Sequence, residues 1–166
     1  MDLILYGLCF ILLQVNMNGL DLLPDFVGYF LMYRGLGQIA PKGSSKISGW
    51  CLAMMILTLP LPFVTLLGDA VFVIGIVLAL AKLRILIALV MSMKDLAMQL
   101  DKDLDTDTLQ QRFFLVAAAE AATWVAMLLH VNGLISGLIW LASSVISVLF
   151  LMVFHRARLA YRAARL

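Results

Sequence analysis

Six apolar runs, residues 3–17, 22–39, 47–67, 71–91, 113–131 and 134–154, follow one another in this chain, joined by short connections and one longer polar segment, residues 92–112. A helix needs about 20 apolar residues to cross a hydrocarbon core of roughly 30 Å, so the runs read as membrane spans. Composition closes off the alternative. Hydrophobic residues are 64% of the 166 and charged residues 13%, against about 45–50% and about 25% in soluble domains. A water-soluble fold of this length cannot hide so much apolar surface. The expected architecture is an all-α integral membrane bundle of six transmembrane spans in a single domain. A water-soluble enzyme is excluded.

Basic residues orient this bundle. Lys42, Lys46, Lys94, Lys102, Arg112, Arg156, Arg158, Arg162 and Arg165 all fall on the side of the N-terminus. The opposite connections carry Asp21, Asp25, Asp69 and Asn132, with no Lys or Arg. Cytoplasmic loops are rich in Lys and Arg, which predicts both termini in the cytoplasm of a multi-pass plasma (inner) membrane protein. The first run lacks the basic start and small-residue cleavage site of a signal peptide, so it is expected to be an uncleaved span. The second run is interrupted by Arg34-Gly35, leaving a purely apolar core over residues 26–33. It either spans with its polar ends reaching the interfaces or re-enters. Pro60-Leu61-Pro62 ends or kinks the third run, because proline lacks the amide donor and clashes with the preceding turn.

Several motifs fail on their chemistry. Asp101, Asp103, Asp105 and Asp107 recur like the start of a calcium loop, but its sixth and twelfth positions hold Thr106 and Arg112 instead of glycine and glutamate. Asp107 with Gln110, or Thr108 with Gln111, instead predicts a capping box opening the fifth helix. His130 and His155 lie at opposite ends of spans, so no metal site is expected. Cys9 and Cys51 sit in apolar stretches as small hydrophobes, and the ten methionines fill gaps. No nucleotide or other cofactor motif is present, no catalytic constellation is visible, and the charge is too balanced for nucleic acid.

Other residues point to packing and to lipid. Gly133 and Gly137, continued by Ser144 and Ser147, form a small-residue face, and Ala118 with Ala122 offers a matching pair on the fifth span. These predict close helix packing within the subunit or between subunits. Arg156, Arg158, Arg162 and Arg165 form a basic helical tail expected to anchor the chain, each able to hold an anionic lipid headgroup at about 1 kcal/mol.

The costliest residue is Glu120, an acid in the middle of an apolar run. It lies seven residues beyond Phe113, about 10.5 Å along the helix. On the antiparallel fourth span, Arg84 and Lys82 lie seven and nine residues from Met91, roughly 10.5 and 13.5 Å along. One of the two is expected to meet Glu120, and the forked guanidinium of Arg84 favours it. With Thr123 and the more distant His130, these residues make a broken polar stripe. Arg34 is the remaining cation inside a candidate span.

The segment Leu23-Pro24-Asp25-Phe26-Val27-Gly28-Tyr29 resembles a Leu-Pro-Asp-Phe-x-Gly-Tyr stretch of small polytopic bacterial inner-membrane proteins. The resemblance implies a bacterial inner membrane and carries no activity. Physically the segment is an efficient helix start, with Gly28 for close packing and Tyr29 as an interfacial aromatic. Three functions fit: a small transporter or channel, with a polar path near spans four and five; a non-catalytic subunit of a larger membrane complex; and a lipid-acting enzyme. Expected partners are the bilayer and either further copies of the chain or another membrane protein.

Overall fold

The structure, a computed structural model, describes residues 1–13, 16–17, 20–21, 25–39, 44–59, 70–100 and 104–164. They form six helices: α1 (Asp2–Leu12), α2 (Asp25–Ile39), α3 (Ser44–Thr58), α4 (Ala70–Leu100), α5 (Thr106–Leu128) and α6 (Gly133–Ala164). Between α1 and α2, two-residue segments β1 (Asn16–Met17) and β2 (Leu20–Asp21) pair antiparallel, Asn16 opposite Asp21. The all-helical class expected from the apolar runs is what the chain adopts.

The helices pack as a closed circuit. Each touches the next along the chain, and α6 returns to α1. Neighbours run antiparallel where paired residues fix their direction. Lys82 and Lys94 of α4 meet Glu120 and Asp107 of α5, so the pairings ascend one helix while descending the other. At α1–α2 the backbones nearly touch. A Cβ on Gly7 would lie 2.6 Å from the carbonyl oxygen of Gly28, and one on Gly28 would lie 2.8 Å from that of Gly7. Glycine at both positions is what permits this approach.

Helix boundaries depart from the apolar runs at both ends: α1 stops at Leu12, five residues short of the expected span, and Asn16–Met17 pair in β1 instead. The predicted polar loop over 92–112 is largely helix, because α4 continues to Leu100 and α5 already starts at Thr106. Good helix formers fill the α4 extension, which buries Met93 and Leu96, while Leu109 and Phe113 are buried on α5. Residue Asp105 precedes α5 in a left-handed conformation (φ 54°) and makes no side-chain cap. The helix thus begins before either predicted capping box, and both boxes lie within its opening turns. Likewise α6 runs through the predicted tail to Ala164 and buries Ala157 and Tyr161. Asp101 and Asp103 of the acidic run, the Pro60–Pro62 segment and Asp69 lie outside the described residues.

At the other end α5 stops because His130 turns left-handed (φ 48°). Asn132 then starts α6, its Oδ1 accepting the Leu134 amide at 3.3 Å, as a helix-capping side chain does.

Two helices, α4 and α6, are long and apolar enough to cross a membrane. In each, only 28% of the most apolar stretch is buried, whereas the core helix of a soluble protein is mostly buried. Their outward faces carry Val73, Val77 and Leu80 on α4, and Leu134, Leu138 and Leu141 on α6, all exposed. α1, α2 and α3 have 11, 15 and 15 residues, about 16–22 Å as helix.

Candidate functional site

The arrangement of buried side chains follows the helical repeat. On α4 the inward stripe is Lys82, Ile85, Leu86, Leu89 and Met93, all buried, at the three-and-four spacing of one helix face. On α5 the matching stripe is Leu109, Phe113 and Val116, continued by Glu120. Lys82 and Glu120 therefore extend two apolar stripes that already face each other.

Lys82 Nζ donates to Glu120 Oε1 in a direct salt bridge, with the side chains 8% and 19% exposed. This corrects the expected partner, Arg84. Two residues along a helix turn the side chain by about 200°, so Arg84 points outward. Its guanidinium lies 5.8 Å from the ring centre of Trp50 on α3. An ammonium on a four-carbon stem can lay that stem along apolar neighbours and present its charge at the tip.

The pair forms a shared wall of two cavities. One, of about 170 Å³, lies among α2, α3, α4 and α5 and is lined by Asp25, Tyr29, Thr58 and Trp124 besides the pair. The other, of about 290 Å³, involves α1, α4, α5 and α6 and is lined by Thr123, Trp140, Ser143, Ser144 and Ser147 besides the pair and Trp124. Between them all six helices contribute. Trp124 reaches both because Gly75 has no side chain: a Cβ there would lie 2.5 Å from the indole Cη2.

Local hydrogen bonds set what the second cavity offers. Thr123 donates its hydroxyl to Ala119 O at 2.9 Å, and Ser144 donates to Trp140 O at 3.0 Å. With those protons used inside their own helices, the lone pairs are what these hydroxyls can offer to the cavity. The site thus combines a carboxylate–ammonium pair, a further carboxylate at Asp25, aromatic walls and hydroxyl acceptors.

Other residues picked out by the sequence lie elsewhere. His130 belongs to the exposed α5–α6 turn, where Nδ1 lies 3.2 Å from Leu128 O. Arg34 is exposed, with its guanidinium 6.0 Å from the ring centre of Phe30 one turn earlier. Gly133 and Gly137 meet nothing: a Cβ on either would have open space within 4 Å. Ala118 and Ala122 are exposed. Among the described residues, the glycine end of the expected packing face therefore makes no close contact, and its Ser144 and Ser147 line a cavity instead. In the basic tail, Arg158 and Arg162 are drawn to Asp2 at 3.0 and 3.1 Å, while Arg156 is exposed and Arg165 lies outside the described residues.

Sequence reasoning missed Asp25, Tyr29, Thr58 and Trp124 as lining groups. Tyr29, expected at an interface, is 1% exposed. The available signal was spacing: Asp25 and Tyr29, and Glu120 and Trp124, are each four apart and share a face.

Compared with known protein families, curated proteins and solved structures, the chain matches none of them.

Proposed function

We propose that this chain is a small polytopic membrane protein that passes a small solute or ion through the two cavities joined at Lys82–Glu120. The observation that carries the reading is the placement of that pair: a buried base and a part-buried acid, costly to keep in apolar surroundings, stand where two cavities meet. In this reading the outward apolar faces of α4 and α6 meet lipid, and both termini lie in the cytoplasm of a bacterial inner membrane, with six helices crossing or entering it. The cavities then belong to the outer half. The test is flux in liposomes containing the purified chain. Passage of a solute or ion above protein-free liposomes, lowered by Glu120→Gln, supports transport. Flux equal to that of empty liposomes for inorganic cations, anions and small neutral solutes rejects it.

A second reading is a partner subunit of a larger membrane complex. Gly133, Gly137, Ala118 and Ala122 favour it, as small residues on exposed helix faces that nothing among the described residues covers. Stoichiometric co-purification with another membrane protein supports this reading over transport.

A further inference from the structure

The larger cavity carries no net charge. Among the described residues, its charged groups are Lys82 and Glu120, which answer each other in the salt bridge. A cation entering it meets the Lys82 ammonium and an anion meets the Glu120 carboxylate, so neither gains a partner without breaking that pair. An uncharged molecule breaks nothing. The hydroxyls around the pair are not equivalent. Thr123 and Ser144 donate to carbonyls of their own helices, whereas Ser143 Oγ and Ser147 Oγ make no hydrogen bond among the described residues. Ser147 is 5% exposed and borders the cavity, so its hydroxyl has only the cavity to turn to. A buried hydroxyl without a partner is costly, and a helical serine can avoid that cost by bonding the carbonyl four residues earlier, as Ser144 does.

The cavity therefore offers donors and acceptors together. Ser143 and Ser147 are four apart on one face of α6 and have protons to give. Glu120 engages Lys82 through Oε1, which leaves Oε2 as an acceptor beside the lone pairs of Thr123 and Ser144. A ligand hydroxyl both donates and accepts, so one kind of group answers both sets. Trp124 and Trp140 supply apolar surface for the carbon skeleton between such hydroxyls. A volume of about 290 Å³ corresponds to about ten waters at roughly 30 Å³ each, room for a short hydroxylated chain and too little for a disaccharide with its hydration. We propose that the larger cavity binds a small uncharged polyol, whose hydroxyls bridge Ser143 and Ser147 on α6 to Glu120 and Thr123 on α5. Its C–H edge lies against Trp124 and Trp140, the Lys82–Glu120 pair stays closed, and no covalent bond changes.

This inference rests on the transport reading for its purpose and names a substrate class for it, while binding is measurable without flux. The probe is erythritol, titrated into the full chain in nanodiscs. Trp50→Phe leaves Trp124 and Trp140, which both line the cavity, as reporters. The same chain with Trp124→Phe and Trp140→Phe, keeping Trp50, gives the baseline for non-specific effects of the polyol. The expected result is a saturable fluorescence change above that baseline. Ser147→Ala should weaken it about fivefold, the loss of one hydrogen bond, and leave the unfolding midpoint unchanged, because the hydroxyl has no protein partner to lose. Ser143→Ala should weaken binding by a similar factor and decides alone if Ser147→Ala does not fold. Methylammonium chloride and sodium acetate should not displace erythritol. A response that never saturates, an unchanged affinity in the folded serine variants, or displacement by either ion at erythritol's own concentration overturns the proposal. Erythritol binding without flux of any solute leaves the polyol site standing and removes transport. Flux of an ion without erythritol binding does the reverse.

Discussion

Single faces of three helices change character within seven residues. On α5, Val116 is buried in the core while Thr123 lines a cavity. On α6, Phe154 is fully buried while Ser147 borders the same cavity, and on α4, Leu89 is buried while Lys82 pairs with Glu120. Seven residues are two turns, about 10.5 Å along the axis. Toward the termini the bundle is filled by Phe150, Phe154, Leu89 and Val116, and closed by the Asp2 contacts with Arg158 and Arg162. Toward the α5–α6 turn it is hollow and polar. Side-chain volume, not helix direction, makes the difference. One half stabilises the bundle, and the other half is free to hold a polar site.

The largest expected effect is at the boundary between the halves. Lys82→Ala leaves the part-buried Glu120 without its cation and should cost about 3 kcal/mol, the low end for breaking a buried pair, read as a lowered unfolding midpoint in detergent. Lys82→Met combined with Glu120→Leu should recover most of that loss, since paired apolar replacements of buried ion pairs are often neutral. Strictly additive losses would mean that the two side chains do not act as a pair.

A smaller effect is expected where the α1 and α2 backbones touch. Gly28→Ala places a methyl against the Gly7 backbone and should cost about 1–3 kcal/mol by overpacking. Gly137→Ala, in open space at the hollow end, should leave the midpoint unchanged or raise it by up to about 1 kcal/mol of helix propensity. Equal losses at the two sites would mean that the close α1–α2 approach does not set the cost at Gly28. A loss at Gly137 together with dissociation of an oligomer would instead reveal a covered face.

The smallest effect is expected at the terminal clamp. Asp2 is 45% exposed, and exposed ion pairs contribute about 0–1 kcal/mol. Asp2→Asn should speed amide hydrogen exchange in the first turn of α1 and leave the unfolding midpoint nearly unchanged. A large drop in the midpoint would show that the clamp holds the packed half together.

The helical class was legible in the sequence because 20-residue apolar runs have few other solutions. Glu120 and its need for a basic partner were legible too, since a lone acid in such a run is costly. The choice of partner was not. Counting from the ends of apolar runs favoured Arg84, but rotation about the helix axis decides which residue faces inward. The stripe through Ile85, Leu86 and Leu89 selects Lys82. Asp25 and Tyr29 were hidden for another reason. They read as a helix start near the surface, whereas α2 begins beside Glu120 and Trp124. How deep a helix begins depends on its neighbours' lengths, which local sequence does not record. The stripe of Gly133, Gly137, Ser144 and Ser147 divided along its length, with open space at one end and a cavity at the other, because helical spacing fixes a shared face and not what covers it.

The central claim is that a water-reachable polar site stops at a packed half, and cysteine accessibility tests it most directly. With Cys9 and Cys51 replaced by Ala, single cysteines at Thr123, Ser147, Val116 and Phe154 are treated in nanodiscs with a small charged methanethiosulfonate reagent. The account predicts modification at Thr123 and Ser147, slowed by Glu120→Lys, which puts a second positive charge beside a cationic reagent. Val116 and Phe154, two turns away on the same faces, should stay unmodified while the protein is folded. Equal modification at all four positions, or none at Thr123 and Ser147, would contradict it.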